Sequence, residues 1–187
     1  MMKLFYSLIC LILLTNICFA GSLRGLDATE QYTIDAAKNA RSHNNMGNIY
    51  FDEKNYNAAM QEYQIAYELV KNTPSGAPYL YNMARCALKF NNYRQAQHLI
   101  ELAIKKDCIN MTYYKALVDC YIARNIQGTE LERHLKDEKN PYNQIIAGLI
   151  YLKTGQKLNA KILFDEFINA NPDMIISDDV RQILREL

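Results

Sequence analysis

The residues able to do chemistry in this chain are few and scattered. Its three histidines, His43, His98 and His134, lie far apart on different helical segments. Each is expected at a surface or boundary rather than around a ligand. The acidic pairs Asp52/Glu53 and Asp178/Asp179 fall at a predicted helix end and a predicted helix start, where they read as solvated or capping groups. There is no phosphate loop, nucleophile elbow, HExxH, CxxC or glycine-rich dinucleotide turn. The sequence therefore nominates no catalytic residue, no metal ligand and no cofactor.

The cysteines are the remaining candidates. Cys86, Cys108 and Cys120 lie beyond the first 20 residues. In an oxidising compartment one disulfide and one free thiol are allowed. Cys86 and Cys120 occupy equivalent places on neighbouring helices, and packed helix axes lie about 8–10 Å apart. That is a stretch for a bond that wants Cα atoms within roughly 7 Å. Cys108, near a helix junction, could reach Cys120. The competing reading, which the residues favour, is three buried reduced thiols acting as small hydrophobes. A thiol-based redox enzyme is the only enzymatic alternative this pattern leaves.

The elements that must position these residues begin after an export-like segment. Residues 1–20 place Lys3 before an apolar run, Leu4–Leu14, and put small Cys18 and Ala20 at the two specificity places of a cut before Gly21. The run is about 11 residues, whereas a membrane span needs roughly 20. The segment reads as a cleaved signal peptide. That reading implies a periplasmic or secreted protein that meets the membrane only transiently. No other stretch is long and apolar enough to span a bilayer. The chain holds 21 basic and 20 acidic side chains. Without Lys3 the balance is 21 − 1 = 20 against 20. A neutral chain with no basic stripe is a poor partner for nucleic acid. Residues 21–39 read as a linker that turns helical between Asp27 and Asp35.

From there the chain repeats itself. Gly148, Tyr151, Ala160, Phe164 and Phe167 recur with identical spacing as Gly47, Tyr50, Ala59, Tyr63 and Ala66. They recur again as Ala84, Ala87, Ala96, Ile100 and Ala103. A small residue on a first helix permits close approach, and the aromatic three residues on lies one turn along the same face. Small alanines open each second helix, whose i, i+4, i+7 stripe is buried. Polar breaks at Glu53–Asn55, Asn91–Asn92 and Thr154–Gln156 separate the helices.

This pattern resembles the tetratricopeptide repeat, a helix–turn–helix unit of about 34 residues. The resemblance implies an all-α fold, a right-handed superhelix of antiparallel helix pairs with about four repeats and a C-terminal capping helix. The repeats span residues 40–74, 77–110, 111–140 and 141–173, and the cap spans 174–187. Their spacings are 37, 34 and 30 residues. The third is degenerate: Glu130, His134 and Asp137 stand in its apolar places. Thr129 with Glu132 could form a capping box there, with Leu131 and Leu135 facing inward. Ser177 is the expected N-cap of the last helix, and Val180, Ile183, Leu184 and Leu187 are expected to face the last repeat.

By the same resemblance, first helices line a concave groove. Its expected residues are Asn44, Asn48 and Phe51, then Tyr81, Asn82, Arg85 and Lys89. Lys115, Asp119 and Ile122 follow, then Tyr142, Ile145, Leu149 and Lys153. Amides, aromatics and a few bases suit a protein or peptide partner. The carboxylate clamp of some family members is not supported, because its basic places hold Asn44, Thr112 and Ala116. The function expected is an exported interaction scaffold or assembly factor of a bacterial cell envelope. A secreted, host-directed factor is the alternative, and self-association through an uncapped end is open.

Overall fold

The computed structural model describes residues 28–137 and 139–187. The expected export segment and the expected cut before Gly21 lie outside the described residues. Within them the chain is helical and carries no strand. The helices are α1 (Ala28–Asp52), α2 (Tyr56–Val70), α3 (Ala77–Lys89), α4 (Tyr93–Lys106) and α5 (Met111–Ala123). They continue as α6 (Gln127–Lys136), α7 (Tyr142–Lys153), α8 (Lys157–Ala170) and α9 (Ile176–Arg185). Among the described residues no helix is long and apolar enough to cross a membrane. The chain divides into two compact units, ending at Lys38 and beginning at Asn39. The described part of the first, residues 28–38, is helical and mostly exposed.

The second unit is the expected solenoid: antiparallel pairs α1/α2, α3/α4, α5/α6 and α7/α8, followed by α9. Each pair closes with one turn geometry. Lys54, Asn91, Asn125 and Gly155 all take positive φ, between 55° and 81°. The amide after each bonds back to the first helix: Asn55 to Tyr50, Asn92 to Ala87, Ile126 to Tyr121 and Gln156 to Tyr151, at 2.8–3.0 Å. This is the Schellman arrangement, which satisfies carbonyls that the helix end leaves orphaned. In the first two pairs the same residue then caps the next helix. The side chains of Asn55 and Asn92 accept from the amides of Ala58 and Gln95.

The small residues do what their spacing predicts. A Cβ on Gly148 would stand 2.4 Å from the Phe164 ring, and one on Gly47 would stand 2.6 Å from Tyr63. Both rings are fully buried. The second pair closes the same gap with buried Ala84 and Ile100. One continuous apolar core runs from Ala77 to Ile183. Buried Cys86 packs with Ala59 and Tyr63, which ties the first pair to the second.

Four expectations change. Helix α6 starts at Gln127, before Thr129, so the Thr129–Glu132 capping box does not form. The Schellman turn at Asn125 puts the N-cap at Ile126, three residues before Thr129. Leu135 is consequently exposed and His134 is turned inward, while Leu131 packs against the core. Ser177 is not an N-cap but lies inside α9, fully buried, its Oγ donating to the Asn171 carbonyl at 2.6 Å. Ile145 and Leu149 do not line an open face, being 0% and 3% exposed. Their apolar side chains join the core instead.

Candidate interaction face on the first helices

The expected groove residues fall into two groups. On α1 and α3 they form one connected array. Asn82 Nδ2 donates to Asn44 Oδ1 at 2.9 Å, and Arg85 Nη1 donates to Asn82 Oδ1 at 3.1 Å. The Arg85 guanidinium lies 4.2 Å from the centroid of the Phe51 ring, and Lys89 Nζ lies 5.9 Å from it. Each cation is drawn to the Phe51 ring while its apolar stem lies along the surface. With Leu88 they line a shallow hollow of about 310 Å³. Among the described residues no carboxylate pairs with Arg85 or Lys89. The hollow therefore presents two cations, unpaired by any carboxylate among the described residues, beside an apolar ring.

Asn48 and Tyr81 serve the frame of this array. Asn48 Oδ1 accepts from the hydroxyl of Tyr63 at 2.8 Å, so Asn48 anchors a buried phenol. Burial pushes that phenol up to about 12. The half-buried Tyr81 ring lies 5.1 Å from Tyr113, and desolvation raises both phenols.

On α5 and α7 the array breaks up. Asp119 is already paired with Lys153 at 2.7 Å. Ile122 is exposed. Lys115 lines a separate cleft of about 450 Å³ between the start of α5 and α9, with Asp179, Gln182 and Glu186 on the far wall. Tyr142 stacks on Tyr114, ring centroids 5.8 Å apart, and its hydroxyl lies 3.1 Å from Cys108 Sγ.

Among the described residues the three cysteines, Cys86, Cys108 and Cys120, are free. Cys86 and Cys120 are buried as expected, but Cys108 is exposed at the α4–α5 junction. Burial pushes the Cys86 and Cys120 thiols up to about 11, which leaves little thiolate at neutral pH. Both side chains pack in the apolar core. Among the described residues no three His, Cys, Asp or Glu side chains converge to hold a metal ion. His43 reaches Glu62 on α2 at 2.7 Å.

His134 departs most from expectation. It is 7% exposed, not a surface residue, and stands in α6 where Phe164 stands in α8. Its Nδ1 lies 2.7 Å from Asn143 Oδ1, and its Nε2 faces Tyr121 and Arg133. Register with Phe164 was the signal that could have placed it inside.

Residues 40–71 and 144–174 each match the family model of the tetratricopeptide repeat. No curated protein sequence matches the chain. Among solved structures, MamA aligns at 17% identity over 70% of this chain and 77% of its own, with a TM-score of 0.48. PilF of Pseudomonas aeruginosa aligns at 15% identity over 77% and 66%, with a TM-score of 0.46. YrrB, described as having an unusual peptide-binding site, aligns at 15% over 76% and 74%, with a TM-score of 0.44. The first and fourth helix pairs of this chain are thus the segments that match the tetratricopeptide repeat family.

Proposed function

We propose that this chain is an exported interaction scaffold of a bacterial cell envelope that holds a peptide segment of a partner protein along its first helices. The observation that carries the reading is the Arg85–Phe51–Lys89 hollow. Its two cations have no carboxylate partner among the described residues, and an aromatic ring lies beneath them. An extended or helical peptide could set an acidic group there and lay its backbone amides along Asn44 and Asn82. The export half of the reading rests on Lys3, the apolar run and the small residues before Gly21.

The test is an affinity capture from native envelope fractions with the full-length chain, beside a variant carrying Arg85→Glu and Lys89→Glu. Capture by the first and loss by the second supports the hollow as the contact. Equal capture by both moves the partner to another surface. Mass spectrometry of the envelope form should find a chain starting at Gly21, and an uncut chain retained in the cytosol overturns export. Recovery in the culture medium instead would favour a secreted, host-directed factor.

A further inference from the structure

The third helix pair carries a polar chain that the fourth pair lacks, buried at Tyr121, His134 and Asn143 and reaching exposed Arg133 and Asp137 at its two ends. It runs through three helices. Glu130 accepts from Arg133 Nε at 2.7 Å, and Arg133 Nη2 donates to the Tyr121 hydroxyl at 3.3 Å. The Tyr121 hydroxyl lies 3.5 Å from His134 Nε2. On the other ring edge, His134 Nδ1 meets Asn143 Oδ1 at 2.7 Å. The Asn143 amide nitrogen donates to the carbonyl and the carboxylate of Asp137, at 2.9 and 3.0 Å. That bonding commits the Asn143 oxygen to accepting, so His134 carries its proton on Nδ1. Nε2 is then a lone pair facing donors, since Arg133 Nη2 stands 3.3 Å away. The site is built for a neutral imidazole of one tautomer.

We propose that the His134 cluster is an acid-sensitive latch, in which protonating His134 releases α6 from α5 and α7. A proton on Nε2 would set a second cation against the Arg133 guanidinium. It would also bring two N–H donors to the Tyr121 oxygen while leaving that hydroxyl's own proton without an acceptor. The carboxylates around the ring act in the opposite direction but more remotely. Glu130 is held by Arg133, and Asp137 lies behind Asn143. Lys139 and Glu166 line the same cleft as His134, of about 590 Å³. Burial is the largest influence and holds the imidazole below its ordinary value; the Asn143 hydrogen bond pulls the other way, and Arg133 adds to the lowering. The consequence reaches beyond α6, because α5 and α7 carry Lys115, Asp119 and Lys153. Acid would loosen that half of the candidate face and leave the Arg85 hollow on α1 and α3 intact.

The test pairs two readouts on the full-length chain between pH 7.5 and pH 4.5. The first is imidazole ¹⁵N resonances. The expected result is a neutral Nδ1–H tautomer at pH 7.5 that titrates below the ordinary histidine range. Titration within or above that range overturns the proposal. The second is amide exchange, corrected for intrinsic rates. Protection of α6 should fall several-fold more than that of α4 as pH drops, and His134→Phe should abolish the excess. Equal behaviour of α6 and α4, or an equal loss in His134→Phe, also overturns it. Should His134→Phe fail to fold, the resonance titration of the wild-type chain decides.

Discussion

The third and fourth helix pairs share a turn and differ in what fills the gap behind it. In the fourth, Gly148 admits the Phe164 ring to a distance no side chain could tolerate, and the gap is wholly apolar. In the third, Val118 and Tyr121 are fully buried on the first helix, while the place of Phe164 is taken by His134. Apolar contact is replaced by hydrogen bonds through Tyr121, Asn143 and Asp137. The backbone turn at Asn125 nevertheless matches the one at Gly155, each with a 6→1 bond to a tyrosine carbonyl. The third pair thus keeps the turn geometry with His134 in the place of Phe164, its ring nitrogens partnered, although Gln127 Oε1 at the start of α6 is buried with no hydrogen-bond partner among the described residues. The difference this makes is conditional stability. Apolar packing does not respond to pH, whereas a buried imidazole does.

Removing the ring from the fourth pair is the harshest way to break the comparison. Phe164→Ala should cost about 3–5 kcal/mol, from lost burial plus the cavity, measured by urea unfolding of the full chain. Gly148→Ala pushes a methyl into that same ring and should cost about 1–3 kcal/mol by overpacking. Gly47→Ala should behave alike against Tyr63. His134→Ala in the third pair should cost about 1–3 kcal/mol, chiefly by stranding Asn143. A larger loss there than for Phe164→Ala would mean that the polar chain, not the apolar gap, holds the stack together.

The pH dependence sharpens the contrast. The folded imidazole of His134 lies below its ordinary value of 6.5, so the unfolded chain binds the extra proton first. Its contribution is whole above about pH 6.5 and is lost as pH falls from there through the lower folded value. The unfolding midpoint of the wild-type chain should therefore fall with acid over that window more steeply than that of His134→Phe. The smallest effect lies in the turns. Gly155 has φ of 81°, and Gly155→Ala should cost about 1–2 kcal/mol, while Lys54→Gly, at φ of 63°, should be neutral or gain up to about 1 kcal/mol. Thermal melts of the two variants would check both signs.

Helix pairing was legible because its signals are local. Gly47 with Tyr63, and Gly148 with Phe164, are separated by one turn and two half-helices, and their spacing alone implies a small-to-large contact. The Cα positions of a helical hairpin follow directly from such a pattern. What no local pattern carries is which flank of each first helix a later helix covers. Ile145 and Leu149 stand at groove places by register but belong to the core. Lys115 stands in that register too but lines the cleft shared with α9. Asn48 reads as a surface amide until Tyr63 is brought beneath it. His134 reads as a polar defect in a weak repeat until Asn143, from the next pair, supplies the acceptor that lets it turn inward. Periodicity specifies which residues share a helix face, because that is set by 3.6 residues per turn. Burial and hydrogen-bond partners come from helices distant in sequence, and only the packed stack decides them.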